Sequence, residues 1–299
     1  MPTAPNGPPA RLLLATDLSG RCDRALDRAA LLAQAWNATL VVVHVLESRL
    51  DDFDYLHRHE LPSWRRAPDR AALAESQIRR DLGTGPNAIV VRIAEGDPVQ
   101  RIEEIAREEG CGLIVTGVAR DQTLGRIFLG ATVDRLIRRS RVPVLVVKSR
   151  AKRAYEKIVV ATDFSDSSLY ALQAALAHFP NAAITLLHAY EPPFEGLTTR
   201  TDLSDQLAAV EREASAEFLA KSGLSEADKG RIKVLIERGS PDSILRAYVD
   251  DVGADLIVAG SHGRSAVFDV LIGSTAKRIV ENAAIDVLLV REPRAAGAS

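Results

Sequence analysis

The strongest constraint on the fold is an internal repeat, in which the second half of the chain copies the first. Residues 12–19, LLLATDLS, recur as IVVATDFS at 158–165, and CGLIVTG at 111–117 recurs as ADLIVAG at 254–260. The segment VPVLVVK at 142–148 recurs as IDVLLVR at 285–291. Two copies of about 145 residues in a chain of 299 indicate a duplicated domain and not a solenoid. We predict one domain at residues 1–150 and a second at 151–299.

Within each copy, short apolar runs alternate with longer segments of helical period. In the second half the runs lie at 157–161, 184–189, 233–236, 256–259 and 287–290. Runs of this kind, apolar on both faces, are typical of buried parallel strands. The pattern predicts an α/β fold of two tandem open parallel five-stranded sheets, in 3-2-1-4-5 order, with helices on both faces. Because the join at 149–157 is short, we expect the two domains to lie side by side.

Composition and charge argue against several classes of partner. A net charge of −2 and a pI near 6.3 argue against nucleic acid or an anionic membrane as the main partner, although a localised basic patch stays open. The apolar runs are too short to span a bilayer, and residues 1–10 lack the features of a signal peptide. Two cysteines, Cys22 and Cys111, form no paired framework. These features favour a reducing, cytoplasmic location.

In open parallel sheets, ligands bind beyond the carboxyl ends of the strands where the strand order reverses. In the second half, Asp163 follows the first strand and a glycine loop follows the fourth. With first and fourth strands adjacent, Asp163 and Gly260 face each other across a crevice. We expect Gly260 to let a ligand approach the backbone, and Gly263 to turn amide groups toward it through a positive φ.

The end of the same loop predicts an anion site. Gly273, Ser274 and Thr275 open a helix whose first N–H groups lack partners inside the helix. Those donors and the positive end of the helix dipole suit a phosphate, and two hydroxyl groups add to them. The bland alternatives stay open: the loop only connects strand to helix, and Asp163 caps the helix that follows it.

Each half resembles a universal stress protein domain, over about residues 10–148 and 155–292. The motif is glycine, two residues, glycine, nine residues, glycine and a hydroxyl residue, which Gly260, Gly263, Gly273 and Ser274 satisfy. The resemblance implies ATP binding, with or without Mg²⁺, and a pocket that extends to neighbouring positions. The site residues expected in the second domain are Ala161, Thr162, Asp163, Ala189, Ala259, Gly260, Ser261, His262, Gly263, Gly273, Ser274 and Thr275.

The first half carries a degenerate form of this loop. Arg120 stands where the second half has Gly263, and Ala131 stands where it has Ser274. If position 120 needs a positive φ, its Cβ costs about 1–2 kcal/mol, and the side chain fills phosphate space. We therefore expect the first half to have lost nucleotide binding. The alternative is that Arg120 itself serves as a phosphate donor.

We expect a cytoplasmic stress-response protein whose second domain binds ATP and which acts as a sensor or regulator. The alternatives are a slow ATPase or phosphoryl-transfer enzyme, for which Asp269 is the local candidate metal ligand, and a nucleotide-free interaction scaffold. No residue is assigned to catalysis or to a metal. His262 has no accompanying nucleophile, His44 and His188 are interpreted as structural, and the pair at positions 57 and 59 is at most half a metal site.

The last strand of each sheet also predicts how the halves meet. An apolar edge strand aggregates unless it is covered, and in the resembling family last strands commonly pair across two domains. We therefore expect residues 142–148 and 285–291 to pair and to form an internal pseudo-dimer. Further homodimerisation stays open.

Overall fold

A computed structural model describes residues 7–20, 22–46, 69–83, 88–120, 127–191, 201–261 and 273–292. In these residues, strands and helices alternate along both halves of the chain. The strands are β1 (Arg11–Ala15), β2 (Thr39–Leu46), β3 (Ile89–Glu95), β4 (Leu113–Gly117), β5 (Ala119–Arg120), β6 (Ile127–Phe128), β7 (Val144–Val147), β8 (Lys157–Ala161), β9 (Ala183–Tyr190), β10 (Ile232–Arg238), β11 (Leu256–Gly260) and β12 (Asp286–Val290). The helices are α1 (Asp23–Trp36), α2 (Arg70–Leu82), α3 (Pro98–Glu108), α4 (Ala131–Arg139), α5 (Asp166–His178), α6 (Thr201–Lys221), α7 (Glu226–Gly230), α8 (Pro241–Val252) and α9 (Ser274–Asn282).

The two predicted sheets join into one. Within the described residues, a ten-stranded sheet has the order β10-β9-β8-β11-β12-β7-β4-β1-β2-β3, and a separate two-stranded ladder joins β5 to β6. Each half of the large sheet is parallel and follows the predicted 3-2-1-4-5 order, which is therefore confirmed. The predicted domain boundary at residues 150 and 151 falls between β7 and β8, and stays a prediction.

Helices cover both faces of the sheet and enclose two cores, each of which runs through both halves. On one face α1 and α2 of the first half continue into α5 and α6 of the second. On the other face α3 and α4 continue into α8 and α9. Strands covered on both sides must be apolar throughout, and Leu12, Leu13 and Leu14 of β1 are indeed wholly buried.

The helices of this fold start in two different ways. Asp97 caps α3 by accepting from the amide of Gln100, and Ser165 caps α5 by accepting from the amide of Ser168. In contrast, α4 and α9 start after Gly130 and Gly273, which have no side chain to offer. Since the first amides of a helix lack partners within it, these two helix starts keep donors that a side-chain cap would otherwise take.

The halves meet through their last strands, as predicted. β7 and β12 are antiparallel, with Leu145 opposite Leu288, and these two side chains are 0% and 1% exposed. The residue after each strand then reaches into the other half. Lys148 Nζ donates to the carbonyls of Val280 and Ala283 at the end of α9, and Arg291 donates to the carbonyl of Arg138 at the end of α4. Cations at helix C-termini complement the helix dipole.

A buried carboxylate fixes the linker at this junction. Asp286, at the start of β12, is fully buried. Its Oδ1 accepts from the amides of Lys148 and Ser149 at 2.9 and 2.8 Å, and its Oδ2 accepts from the Tyr155 hydroxyl at 2.6 Å. The Arg28 guanidinium from α1 lies 3.3 Å from the same carboxylate and 4.0 Å from the centre of the Tyr155 ring. Both halves and the linker thus share one hydrogen-bonded charge cluster.

The two cysteines are not bonded to each other. Cys22 and Cys111 are free thiols, and burial raises the pKa of each to about 11. Among the described residues, none of the helices has the length and apolar character needed to cross a membrane.

The β7–β12 pairing can be tested by placing charges in it. Because Leu145 and Leu288 are buried side by side, replacing both by Glu should cost roughly 3–5 kcal/mol or more for each unpaired buried charge. We expect the double variant to aggregate or unfold, measured by solubility and thermal unfolding. The matched control is Leu73→Glu with Val210→Glu, which makes the same change at exposed positions. A soluble, equally stable Leu145→Glu/Leu288→Glu protein would contradict the pairing.

His178 predicts a loss of stability in mild acid. It packs against Trp36 of the other half, with ring centroids 5.8 Å apart, and burial lowers its pKa from 6.5 to about 4. Between pH 6.5 and 4 the unfolded chain therefore binds a proton that the folded chain does not, so this contribution destabilises the fold as pH falls through that window. The expected loss is about 2 kcal/mol at pH 5.

The measurement is urea unfolding of the wild type and of His178→Phe at pH 7.5 and pH 5. The wild type should lose more free energy of unfolding than the variant between these two pH values. Equal losses in both proteins would show that His178 does not carry this pH dependence.

Candidate functional site

A cavity of about 390 Å³ opens at the carboxyl ends of β8, β9 and β11 in the second half. The sheet order places β8 between β9 and β11, so the cavity spans the point where the strand order reverses, as expected for this fold. Its wall is completed by the starts of α8 and α9 and by one residue of α6. The lining residues are Ala161, Thr162, Asp163, Ser168, Leu187, His188, Ala189, Tyr190, Glu211, Pro241, Leu245, Ala259, Gly260, Gly273, Ser274, Thr275, Ala276 and Ile279.

The turn after β8 is held by local hydrogen bonds. Asp163 Oδ1 accepts from the amide and the hydroxyl of Ser165, at 3.1 and 2.5 Å. Thr162 Oγ1 accepts from the amide of Phe164 at 2.9 Å. Phe164 has a φ of 59°, a conformation that non-glycine residues rarely adopt. Asp163 therefore supports Ser165, which is the cap of α5, and does not itself cap that helix.

The two ends of the glycine loop are fastened together at the edge of the cavity. The amide of Ser261 donates to the carbonyl of Val290 at 2.9 Å, and the amide of Gly273 donates to the carbonyl of Ser261 at 2.8 Å. This closure sets the start of α9 directly beside the end of β11.

The start of α9 is the electropositive wall. Gly273 has φ −60° and ψ 145°, the extended conformation of an N-cap, and offers no side-chain acceptor. The amide of Lys277 is the first to bond back, to the carbonyl of Gly273 at 3.0 Å. The amides of Ser274, Thr275 and Ala276 have no partner inside the helix. With the two hydroxyl groups they form a cluster of donors suited to an anion.

The opposite wall carries acceptors. His188, at the end of β9, directs Nδ1 toward the carbonyl of Thr162 at 2.8 Å and Nε2 toward Glu211 Oε2 of α6 at 3.2 Å. Asp163, which follows β8, lies on the same side of the cavity. The cavity is therefore polarised, with hydrogen-bond donors at the start of α9 and carboxylates toward β8 and β9.

Nine of the twelve predicted site residues line this cavity. Ser261 does not, because it is 2% exposed and lies at the base of the loop. His262 and Gly263 lie outside the described residues, as do Asp269, His57 and His59.

Gly260 has a packing requirement in addition to the ligand approach expected for it. A Cβ at this position would lie 2.5 Å from the Ser167 hydroxyl and 2.8 Å from the Ser167 backbone. Packing against the start of α5 therefore requires glycine here, whether or not a ligand approaches.

The first half keeps part of the same arrangement. Asp17 Oδ1 accepts from the amide and hydroxyl of Ser19, at 2.9 and 2.6 Å, and Leu18 has the same positive φ as Phe164, at 60°. His44 Nδ1 lies 3.0 Å from the carbonyl of Thr16. The strand-one turn and the strand-two histidine are thus common to both halves.

The first half's loop differs, and the condition for backbone strain at Arg120 is not met. Arg120 pairs with Ile127 in the antiparallel β5–β6 ladder, so its backbone is extended and has no positive φ. The strain argument against Arg120 therefore does not apply, because the chain forms a hairpin there. β6 of this hairpin lies against α9 of the second half.

Sequence reasoning missed several cavity residues. His188 was interpreted as structural, and its bond to Thr162 fits that role, but its other nitrogen faces Glu211 on the cavity wall. The sequence around Glu211 contains no motif that predicts a site residue, because Glu211 reaches the cavity only through the packing of α6 over β9. Tyr190 carries no motif either.

A second cavity, of about 330 Å³, lies between α8 and α9. Its floor includes Leu245, Val249 and Ile257, and its rim carries an ion pair in which Arg278 Nε lies 3.0 Å from Asp242. It shares Leu245 and Ile279 with the cavity at the strand ends but includes no residue of the strand-one turn, so the cavity at the strand ends remains the candidate site. Within the described ranges, three or more potential metal ligands do not cluster anywhere.

Comparisons with known proteins agree on the family. The model of the universal stress protein family matches residues 10–148 and 154–291. A universal stress protein of Methanocaldococcus jannaschii is 31% identical over 147 residues, covering 47% of this chain and 84% of that protein. One of Mycolicibacterium smegmatis is 24% identical over 303 residues, covering 94% and 96%. The crystal structure of a universal stress protein from Archaeoglobus fulgidus, 21% identical, covers 94% of this chain and 98% of that one with a TM-score of 0.62, a likeness of fold alone.

Proposed function

The chain belongs to the universal stress protein family, and from that premise we propose that its second half binds one ATP molecule in the cavity at the ends of β8, β9 and β11. The observation that carries the proposal is the polarity of that cavity. Helix amides that have no partner inside the helix lie at one side with two hydroxyl groups, and carboxylates lie at the other. A ligand with an anionic end and a donor-bearing end matches this arrangement, and a nucleotide has both.

The phosphates are assigned to the start of α9. A helix N-terminus without a side-chain cap presents free amides and the positive end of the dipole, and phosphate is the anion that such sites commonly bind. Ser274 and Thr275 add hydroxyl donors. The ribose is assigned to Asp163, whose carboxylate accepts hydrogen bonds from hydroxyl groups. The base then lies toward Ala189 at the end of β9.

Mg²⁺ is compatible with this assignment but does not depend on it. Mg²⁺ in nucleotide sites is held by one or two carboxylates together with substrate phosphates and water. Of the carboxylates that line the cavity, Asp163 follows β8, the strand next to β11, and is the one placed to contribute.

Nucleotide binding is the activity that we propose for the site. A sensor or regulator in the cytoplasmic stress response needs a ligand-dependent state, and the cavity provides a place for that ligand. The first half is assigned a framework role. It retains Asp17 but has Ala131 where Ser274 stands, and its residues 119–120 pair with 127–128.

The proposed phosphate site is tested by adding a carboxylate at the N-cap of α9. Gly273→Asp places an acceptor and a negative charge where the phosphates are assigned, and the N-cap dihedral angles already suit aspartate. We expect ATP affinity to fall at least roughly tenfold, about 1.4 kcal/mol, while thermal stability stays equal or rises slightly. Isothermal titration calorimetry measures the affinity.

The matched control is Gly130→Asp, at the equivalent cap of α4, where φ is −57° and ψ is 152°. This variant should keep wild-type ATP affinity. Unchanged affinity in a folded Gly273→Asp protein, or an equal loss in both variants, would contradict the proposed site.

A further inference from the structure

His188 is fixed on every side. A carbonyl oxygen can only accept, so Nδ1, 2.8 Å from the carbonyl of Thr162, carries the proton and donates it. The Phe164 ring lies 4.4 Å from the imidazole centre, and the Tyr190 ring lies 6.3 Å away and is nearly parallel, at 13°. The imidazole therefore has one orientation, with Nε2 directed toward α6.

That orientation brings Nε2 to the Glu211 carboxylate, which accepts a hydrogen bond from Nε2 when that nitrogen also carries a proton. His188 Nε2 lies 3.2 Å from Glu211 Oε2, and the Glu211 side chain is 20% exposed on the cavity wall. Within the described part of the chain, no other hydrogen bond or ion pair to this carboxylate is present. Its second oxygen therefore remains available to a ligand in the cavity.

The position of Glu211 along the cavity defines which part of a ligand it meets. α9 and the end of β11 form the anion end, and β9 lies two strands away. Neighbouring strands are about 4.8 Å apart, so the two ends are separated by about 10 Å. That separation corresponds to the distance between the phosphates and the base of a nucleotide, and not to the distance between neighbouring phosphates.

We propose that Glu211, positioned by His188, selects the nucleobase by accepting a hydrogen bond from an exocyclic amino group. The proposal rests on the nucleotide function proposed above and adds the base class to it. A carboxylate is an acceptor only, so a base that lacks an amino group at this edge leaves it without a partner, and an opposing carbonyl oxygen repels it.

In the described residues of the first half, a carboxylate equivalent to Glu211 is absent. We align the sequences of α2 and α6 so that Ile78 matches Phe218, because both residues are buried in the same core. In this register Ala71 stands where Glu211 does, although His44 keeps its bond to the strand-one carbonyl. The histidine is thus common to both halves, while the carboxylate belongs to the second.

The experiment compares ATP with purine riboside triphosphate, which lacks only the exocyclic amino group. The wild type should bind ATP at least roughly tenfold more tightly, as expected for a hydrogen bond to a charged group. In Glu211→Ala, which copies the first half, the ratio of the two affinities should fall below about threefold. The control is Glu213→Ala, an exposed glutamate on the same helix, which should keep the wild-type ratio.

His188→Phe tests the positioning role. Phenylalanine keeps a ring between Phe164 and Tyr190 but removes both nitrogens, so the ratio of the two affinities should fall toward that of Glu211→Ala. A purely structural role would weaken both nucleotides equally and leave the ratio unchanged.

Two results would overturn the inference: equal affinity of the wild type for the two nucleotides, which needs no variant, or a wild-type ratio in folded Glu211→Ala. If the wild type binds neither nucleotide, the proposed function itself fails and the inference with it. ATP binding without discrimination leaves the proposed function standing and removes only the role of Glu211.

Discussion

The antiparallel pairing of β7 with β12 is the interaction on which the rest of the structure depends. Each half alone would present an apolar edge strand, and edges of this kind recruit other strands. Here each edge covers the other, and one sheet runs through the whole chain. The two cores are continuous across the junction for the same reason. The charge cluster around Asp286 then fixes the path of the linker across the junction.

This junction also explains how the halves can differ in function while sharing a framework. Lys148 and Arg291 each donate to a carbonyl at the C-terminus of a helix in the other half, so the junction is nearly symmetric. The strand-one turn, with its positive φ at Leu18 and Phe164, is symmetric as well. The differences that bear on the site lie in the glycine loop and in α2 and α6, at the ends of the strands. A site can therefore change in one half without disturbing the pairing.

Much of the framework was predictable because its signals are local and repeated. Apolar runs of strand length and the duplicated motifs predicted the 3-2-1-4-5 order, and an apolar last strand with a short linker predicted the β7–β12 pairing. Asp163 and Gly273 were also found from their places after a strand and before a helix. Each of these inferences uses residues that are neighbours in sequence.

What was missed depends on contacts between residues far apart in the chain. Gly260 is required by Ser167, which precedes it by more than ninety positions. Glu211 reaches the cavity only because α6 packs over β9, and no motif marks it. Strain at Arg120 was considered on the condition of a positive φ, and the antiparallel pairing of Arg120 with Ile127 could not be inferred from the glycine spacing of the other half.

The central claim is that a symmetric framework carries one nucleotide site, in the second half. Calorimetric titration of the full chain with ATP tests it most directly, together with the matched variants Asp163→Ala and Asp17→Ala. The account predicts one equivalent of ATP per chain, with binding weakened strongly by Asp163→Ala and little by Asp17→Ala. Two equivalents of comparable affinity, or a larger effect of Asp17→Ala, would contradict it.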